Sequence, residues 1–352
     1  MRSLGTKITA HYVQILCRTH LHYVTQKINK MKKYIFCIPL TGMNDTFNQI
    51  EKSWQYAEHH SRTLALDTTM SGLNCEFSDL FEIHDEYKTI EIFTDSQDLL
   101  QSTKDLTTAP KGLTRRSKLF REEIAWIDGA DRLRETGEKV AADLDYSYDE
   151  ERVINICRGG GADSAKLLQK LRVTKSVSDH ILAQIAHLPH DYVALHIRNT
   201  DVKSNYKKFL SGAYKMLSGH NVLICSDDHQ AIEFAQEFLD ESRILTTNVA
   251  RSQDGSPLHA GVEARKRGKA GAVDALVDLA ALARSQKIYF PKVSVGLGRG
   301  PYQKGKNLLR LALGRRSRHR ISGFVQLALF LQENPSIRRR FLREALTDPD
   351  SL

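Results

Sequence analysis

The chain reads as a series of short apolar runs, each followed by a longer stretch of helical periodicity. Residues 34–39, 63–66, 153–156, 192–196, 222–225 and 287–290 have strand length and strand composition. Residues 48–59, 177–186, 208–217, 230–239 and 272–284 repeat their apolar positions at helical spacing, as Ile50, Trp54 and Ala57 do. Alternation of this kind builds α/β layers. At 352 residues the chain is long for one core and comfortable for two. The spacing predicts an N-terminal extension (1–30), a first lobe (31–175), a second lobe (176–300) and a basic helical tail (301–352). It also predicts a strand over 90–93, a helix over 118–127, and a mobile, polar, Gly-rich loop over 248–269.

Composition narrows the class. The five cysteines are scattered and form no C-x-x-C pair, and Cys37, Cys157 and Cys225 end apolar strands. That is how a reduced, cytoplasmic protein uses thiols as small hydrophobes. No clustered Cys/His set points to zinc, so no metal is expected. No run reaches membrane-spanning length, and residues 1–30 lack the apolar core of a signal peptide. The formal net charge is +9. Between Arg299 and Leu346 twelve Lys and Arg face two acids, an excess of +10, so the basic surplus sits in the tail. The tail reads either as solvated helices or as a contact with the inner face of a membrane.

The residues that carry chemistry stand at the ends of the apolar runs. One strand runs into His196, Arg198 and Asp201, where a fixed guanidinium suits a diphosphate. An Arg–Asp ion pair trimming the strand end is the plainer alternative. A second strand delivers Ser226, Asp227 and Asp228; Ser226 or Asp227 can cap the next helix, and a capping acid can also accept from a ribose or a base edge. Asp278 is a lone acid in an alanine- and leucine-rich helix, and costs energy there unless it is partnered. Ser294 follows the last strand among small residues that let backbone N–H groups approach phosphate. Gly42 and Asn44 stand in the first strand–helix turn, and the triple glycine 159–161 follows another strand.

Together these segments resemble the fucosyltransferase superfamily, which includes α-1,6-fucosyltransferases, nodulation-factor fucosyltransferases and protein O-fucosyltransferases. The resemblance rests on Gly42-Met43-Asn44, Arg62-Thr63-Leu64, His196-Ile197-Arg198, Ser226-Asp227-Asp228, Asp278 and Ser294, in that order. It implies a GT-B fold, two Rossmann-like lobes with a deep cleft between them. It implies a bacterial-type, inverting, metal-independent enzyme that uses GDP-fucose or a similar GDP-sugar and an oligosaccharide acceptor. By the same resemblance Arg198 contacts the diphosphate, His196 and Asp278 recognise guanine, Asp227 and Asp228 meet the nucleoside, and Ser294 holds phosphate. Gly42 and Asn44 close over the donor from the other lobe. A single Arg198-Asn199 stands where the α-1,6 enzymes carry two adjacent arginines, so the linkage stays open. Asp45, Glu122 and Glu123 are the candidate general bases. Two rival readings are a glycosyltransferase with another nucleotide-sugar donor, and a non-catalytic protein that binds nucleic acid or a membrane through its tail. Nucleic acid is disfavoured because the tail has few aromatics and no recognised motif.

Overall fold

The computed structural model describes residues 32–94, 96–200, 202–253, 258, 261–294 and 319–344. The first half of the chain contains β1 (Tyr34–Pro39), α1 (Met43–His59), β2 (Thr63–Leu66), α2 (Phe77–Leu80), β3 (Phe81–Ile83), β4 (Ile92–Phe93), α3 (Gln97–Ser102), β5 (Thr108–Ala109), β6 (Ile124–Ile127), β7 (Ala130–Leu133), β8 (Arg152–Cys157), α4 (Ser164–Lys170) and β9 (Leu171–Val173). The second half contains α5 (Lys175–Ile185), β10 (Tyr192–Ile197), α6 (Tyr206–Leu217), β11 (Asn221–Ser226), α7 (His229–Phe238), β12 (Arg243–Leu245), α8 (Gly261–Arg267), α9 (Lys269–Arg284), β13 (Ile288–Tyr289), β14 (Val293–Ser294), β15 (His319–Arg320), α10 (Gly323–Glu333) and α11 (Pro335–Leu342).

Two parallel sheets organise these elements. The first has the order β4-β2-β1-β8-β5, the second β12-β11-β10-β13. Every residue of β1, β8 and β10 is buried, because both faces of each sheet are covered. The alternation of side chains divides each strand between two cores. Ile35 and Cys37 of β1 enter a large central cluster, while Tyr34, Phe36 and Ile38 enter an outer one. Likewise Ala194 of β10 faces the central cluster, and Val193, Leu195 and Ile197 face the second lobe's outer core. One continuous apolar cluster therefore joins the inner faces of the two sheets, with α1 and α9 between them.

The helices after residue 322 complete that shared core. Val325, Leu327, Ala328, Leu331, Phe341 and Leu342 are buried in it. Phe341 stacks on Phe81 of the first lobe at 6.2 Å. Arg338 donates to the Ala283 carbonyl at 3.1 Å, and Arg343 ion-pairs with Glu82 at 2.5 Å. This corrects the expectation of solvated or membrane-facing helices for this stretch: α10 and α11 are core elements, and Arg338, Arg340 and Arg343 have protein partners. The basic residues at 299–318 lie outside the described residues.

Two further expectations change. Residues 118–127 form a short 3-10 turn (Arg121–Glu123) and then β6, not a helix. Asp128 and Gly129 both take positive φ, at 49° and 81°, and close a tight hairpin between β6 and β7. The supposed loop over 248–269 contains α8.

Candidate functional site

The carboxyl ends of β1, β10 and β11 open on one cleft of about 580 Å³, the size of a small-molecule site. Its second-lobe wall is built around Asp227. The Asn199 N–H donates to Asp227 Oδ1 at 2.9 Å, and Thr200 Oγ1 donates to Oδ2 at 2.5 Å. Arg198 meets the same carboxylate at 3.2 Å. One acid thus fixes both the turn after β10 and the guanidinium, which stays partly exposed to the cleft. The partner that holds Arg198 at the cleft wall is Asp227 of the neighbouring strand end; Asp201, the acid of its own motif, lies outside the described residues. The carboxylate oxygens of Asp227 serve this scaffold instead of standing free for a nucleoside.

Asp228 is placed differently from the expectation. It N-caps α7 by accepting from the Gln230 N–H at 3.1 Å, and it accepts from Asn199 Nδ2 at 2.6 Å. It is buried and stands behind the cleft wall. Ser294 belongs to β14, which pairs with β15 beside the cleft-lining Val293.

Asp278 does have a partner, and it is Arg251. The guanidinium grips the carboxylate end-on, at 2.6 Å to Oδ2 and 3.1 Å to Oδ1, while Thr247 Oγ1 donates to Oδ1. Arg251 also donates to Thr247 Oγ1 at 2.7 Å. Among the described residues three of its five N–H donors are engaged, those of Nη2 and one of Nη1. Both residues line the cleft. Sequence reasoning did not identify Arg251, because it stands in a polar segment with no periodicity. The signal available was Asp278 itself, a buried acid that demands a buried cation.

His196 lies between these two ion pairs, 7% exposed. Burial lowers its pKa to about 4; Asp227 and Asp278 favour its charged form, and Arg198 and Arg251 oppose it. The imidazole is therefore neutral at pH 7. Its ring stacks on Phe324 of α10, with centroids 5.5 Å apart and planes 28° apart.

The first lobe supplies the facing wall. Gly42 is the N-cap of α1, and it lines the cleft together with Met43, Asn44 and Asp45 of the helix's first turn. Asn44 accepts from Ser164 Oγ at 2.8 Å, tying the turn to α4. Gly160 and Gly161 pack against it so closely that a Cβ on Gly160 would lie 2.3 Å from Asp45 Oδ1. Of the three candidate bases, Asp45 lines the cleft. Glu122 pairs with Arg265 at 2.7 Å, and Glu123 with Arg116 at 3.0 Å. Among the described residues no group of three or more His, Cys, Asp or Glu side chains is placed to hold a metal. No helix among them is long and apolar enough to cross a membrane.

Two lobes of parallel sheet, with an Arg-lined cleft where their strands end, define a GT-B fold of fucosyltransferase type. Solved structures carry the same fold. One is the NodZ α-1,6-fucosyltransferase soaked with GDP-fucose, at 15% identity and a TM-score of 0.51, with 85% of this chain and 92% of that chain covered. A second is fucosyltransferase NodZ from Bradyrhizobium, at 17% identity and a TM-score of 0.50, covering 73% of this chain and 88% of that chain. No protein-family model matches the chain. A search of curated protein sequences finds no match.

Proposed function

We propose that the protein is an inverting glycosyltransferase that moves fucose, or a related sugar, from a GDP-sugar to a carbohydrate acceptor. The observation that carries this reading is Arg198, held by Asp227 at the end of β10 and facing the amino end of α1 across the cleft. The fold likeness to a fucosyltransferase soaked with GDP-fucose agrees with it.

The chemistry follows from the placement. When the bond from sugar to diphosphate breaks, negative charge grows on the leaving oxygen. A guanidinium already oriented by a carboxylate stabilises that charge without reorganising. The N–H groups at the start of α1 add a partial positive charge from the opposite lobe. Asp45, on the first-lobe wall, takes the proton of the acceptor hydroxyl as it attacks the anomeric carbon from the face opposite the leaving group. Arg251, set by Asp278, has a donor to offer a single acceptor on the guanine edge, O6 or N7. His196 remains a neutral donor or acceptor beside it. In this account Asp278 acts through Arg251.

The test is nucleotide-dependent stabilisation of the purified chain, followed by donor turnover. GDP should raise the melting temperature while UDP and CMP leave it unchanged. Release of GDP from GDP-fucose should fall by about 100-fold or more in Arg198→Ala. Equal stabilisation by all three nucleotides, or full turnover by the variant, contradicts the proposal.

A further inference from the structure

Trp126 is the largest apolar side chain that the described residues leave in solvent, 56% exposed, whereas Trp54, the other tryptophan, is wholly buried. Its position is not arbitrary. It stands on β6 directly opposite Asp131 of β7, and directly opposed residues in an antiparallel pair share a face. Asp131 holds Arg158 at 2.5 Å, and Arg158 is two residues before the cleft-lining Gly160.

The other side of the hairpin is tied to the cleft as well. Arg121 donates to the Met70 carbonyl, two residues before the cleft-lining Gly72. Glu122 reaches across to Arg265 of α8 at 2.7 Å. Arg121 is held below its ordinary pKa, first by burial and then by the nearby charges of Arg158 and Arg265. The hairpin that carries the indole is thus tied to segments that adjoin the cleft in both lobes, while Trp126 itself stands outside the cleft lining, exposed and with no acceptor for its N–H among the described residues.

An exposed indole on a polar, charged hairpin anchored beside the cleft matches one ligand chemistry well. A pyranose presents a C–H face that packs on a ring, and hydroxyls around its edge that need polar partners. A second copy of the chain fits less well. A stable interface needs about 800 Å² per partner with an apolar centre, and here Trp126 and Ile127 stand among charges. Phe120 adds little, because Lys118 lies over its ring at 5.1 Å.

We infer that Trp126 is the stacking platform of the acceptor subsite, holding a sugar ring of a carbohydrate acceptor beside the donor cleft. This rests on the glycosyltransferase reading above. The experiment is a fluorescence titration of the full chain with cellotetraose, chitotetraose and tetragalacturonate, which separate neutral, amide-bearing and acidic rings. At least one should shift the emission of Trp126, and Trp126→Phe should remove that change while Trp54 still emits. Trp126→Ala should weaken binding of that oligosaccharide about tenfold and leave GDP-induced stabilisation intact.

If GDP stabilises the chain but none of the three sugars perturbs Trp126, the inference is overturned and the functional reading stands. If GDP fails to stabilise the chain, the functional reading fails instead. A wild-type dimer in light scattering that Trp126→Ala dissociates also overturns the inference, by assigning the indole to a second copy.

Discussion

Arg251 closes on Asp278 with two parallel hydrogen bonds inside the cleft, each side chain only about a tenth exposed (9% and 11%). Removing one partner of such a pair leaves a buried charge uncompensated, at a cost of about 3–5 kcal/mol. Arg251→Met and Asp278→Leu are each expected to destabilise the protein by that order in urea denaturation. The double variant should recover much of the loss while still losing affinity for GDP. A double variant that binds GDP normally would remove the pair from nucleotide recognition.

His196 gives the protein an acid-sensitive element. The folded ring protonates only near pH 4, while an unfolded histidine does so near 6.5. Between those values the unfolded chain binds more protons. The contribution is therefore complete above about pH 6.5 and is lost progressively as pH falls toward 4. His196→Gln should flatten the stability curve in that window by up to about 1.4 kcal/mol per pH unit. An unchanged slope would show that the ring is accessible to protons when folded.

Gly323 begins α10 where the helix meets Asn44. A Cβ there would lie 2.4 Å from Asn44 Nδ2, 2.6 Å from Cγ and 2.9 Å from Cβ. Alanine normally stabilises a helix position relative to glycine by about 0.5–1 kcal/mol. Here the sign should reverse, to a loss of about 1–3 kcal/mol from overpacking. The displaced Asn44 should also weaken GDP binding. A stabilised Gly323→Ala protein would show that α10 stands farther from the turn.

Asp45 is the one acid among the three candidate bases that lines the cleft. Asp45→Asn keeps its size and its place against Gly160 while removing the basic oxygen. Transfer to an acceptor should drop about 100-fold or more, with GDP affinity close to wild type. A variant with unchanged kcat would return the proton to water or to another group.

Much of the frame was legible in the sequence because buried parallel strands read as unbroken apolar runs. β1 and β2 match their expected limits residue for residue, and β10 and β11 extend theirs by one residue at one or both ends. The chemistry at the strand ends followed, since Arg198 and Asp227 come directly after such runs. Three features were hidden for physical reasons. The β6–β7 hairpin looked helical because charged residues masked its alternation, although Asp128-Gly129 carried the turn signal. Arg251 stood in a segment with no period to read. Phe324 belonged to helices whose arginines suggested water, yet Arg338, Arg340 and Arg343 pair with Glu344, Glu86 and Glu82. A side chain that satisfies its charge inside the protein looks the same in sequence as one that faces solvent.

The central claim is that Arg198 meets a diphosphate. Calorimetric titration of wild type and Arg198→Ala with GDP and with guanosine isolates that contact, because the two ligands share a base and differ in the phosphates. The account predicts that the variant binds GDP at least tenfold more weakly and guanosine equally well. Equal losses for both ligands, or none for GDP, would contradict it.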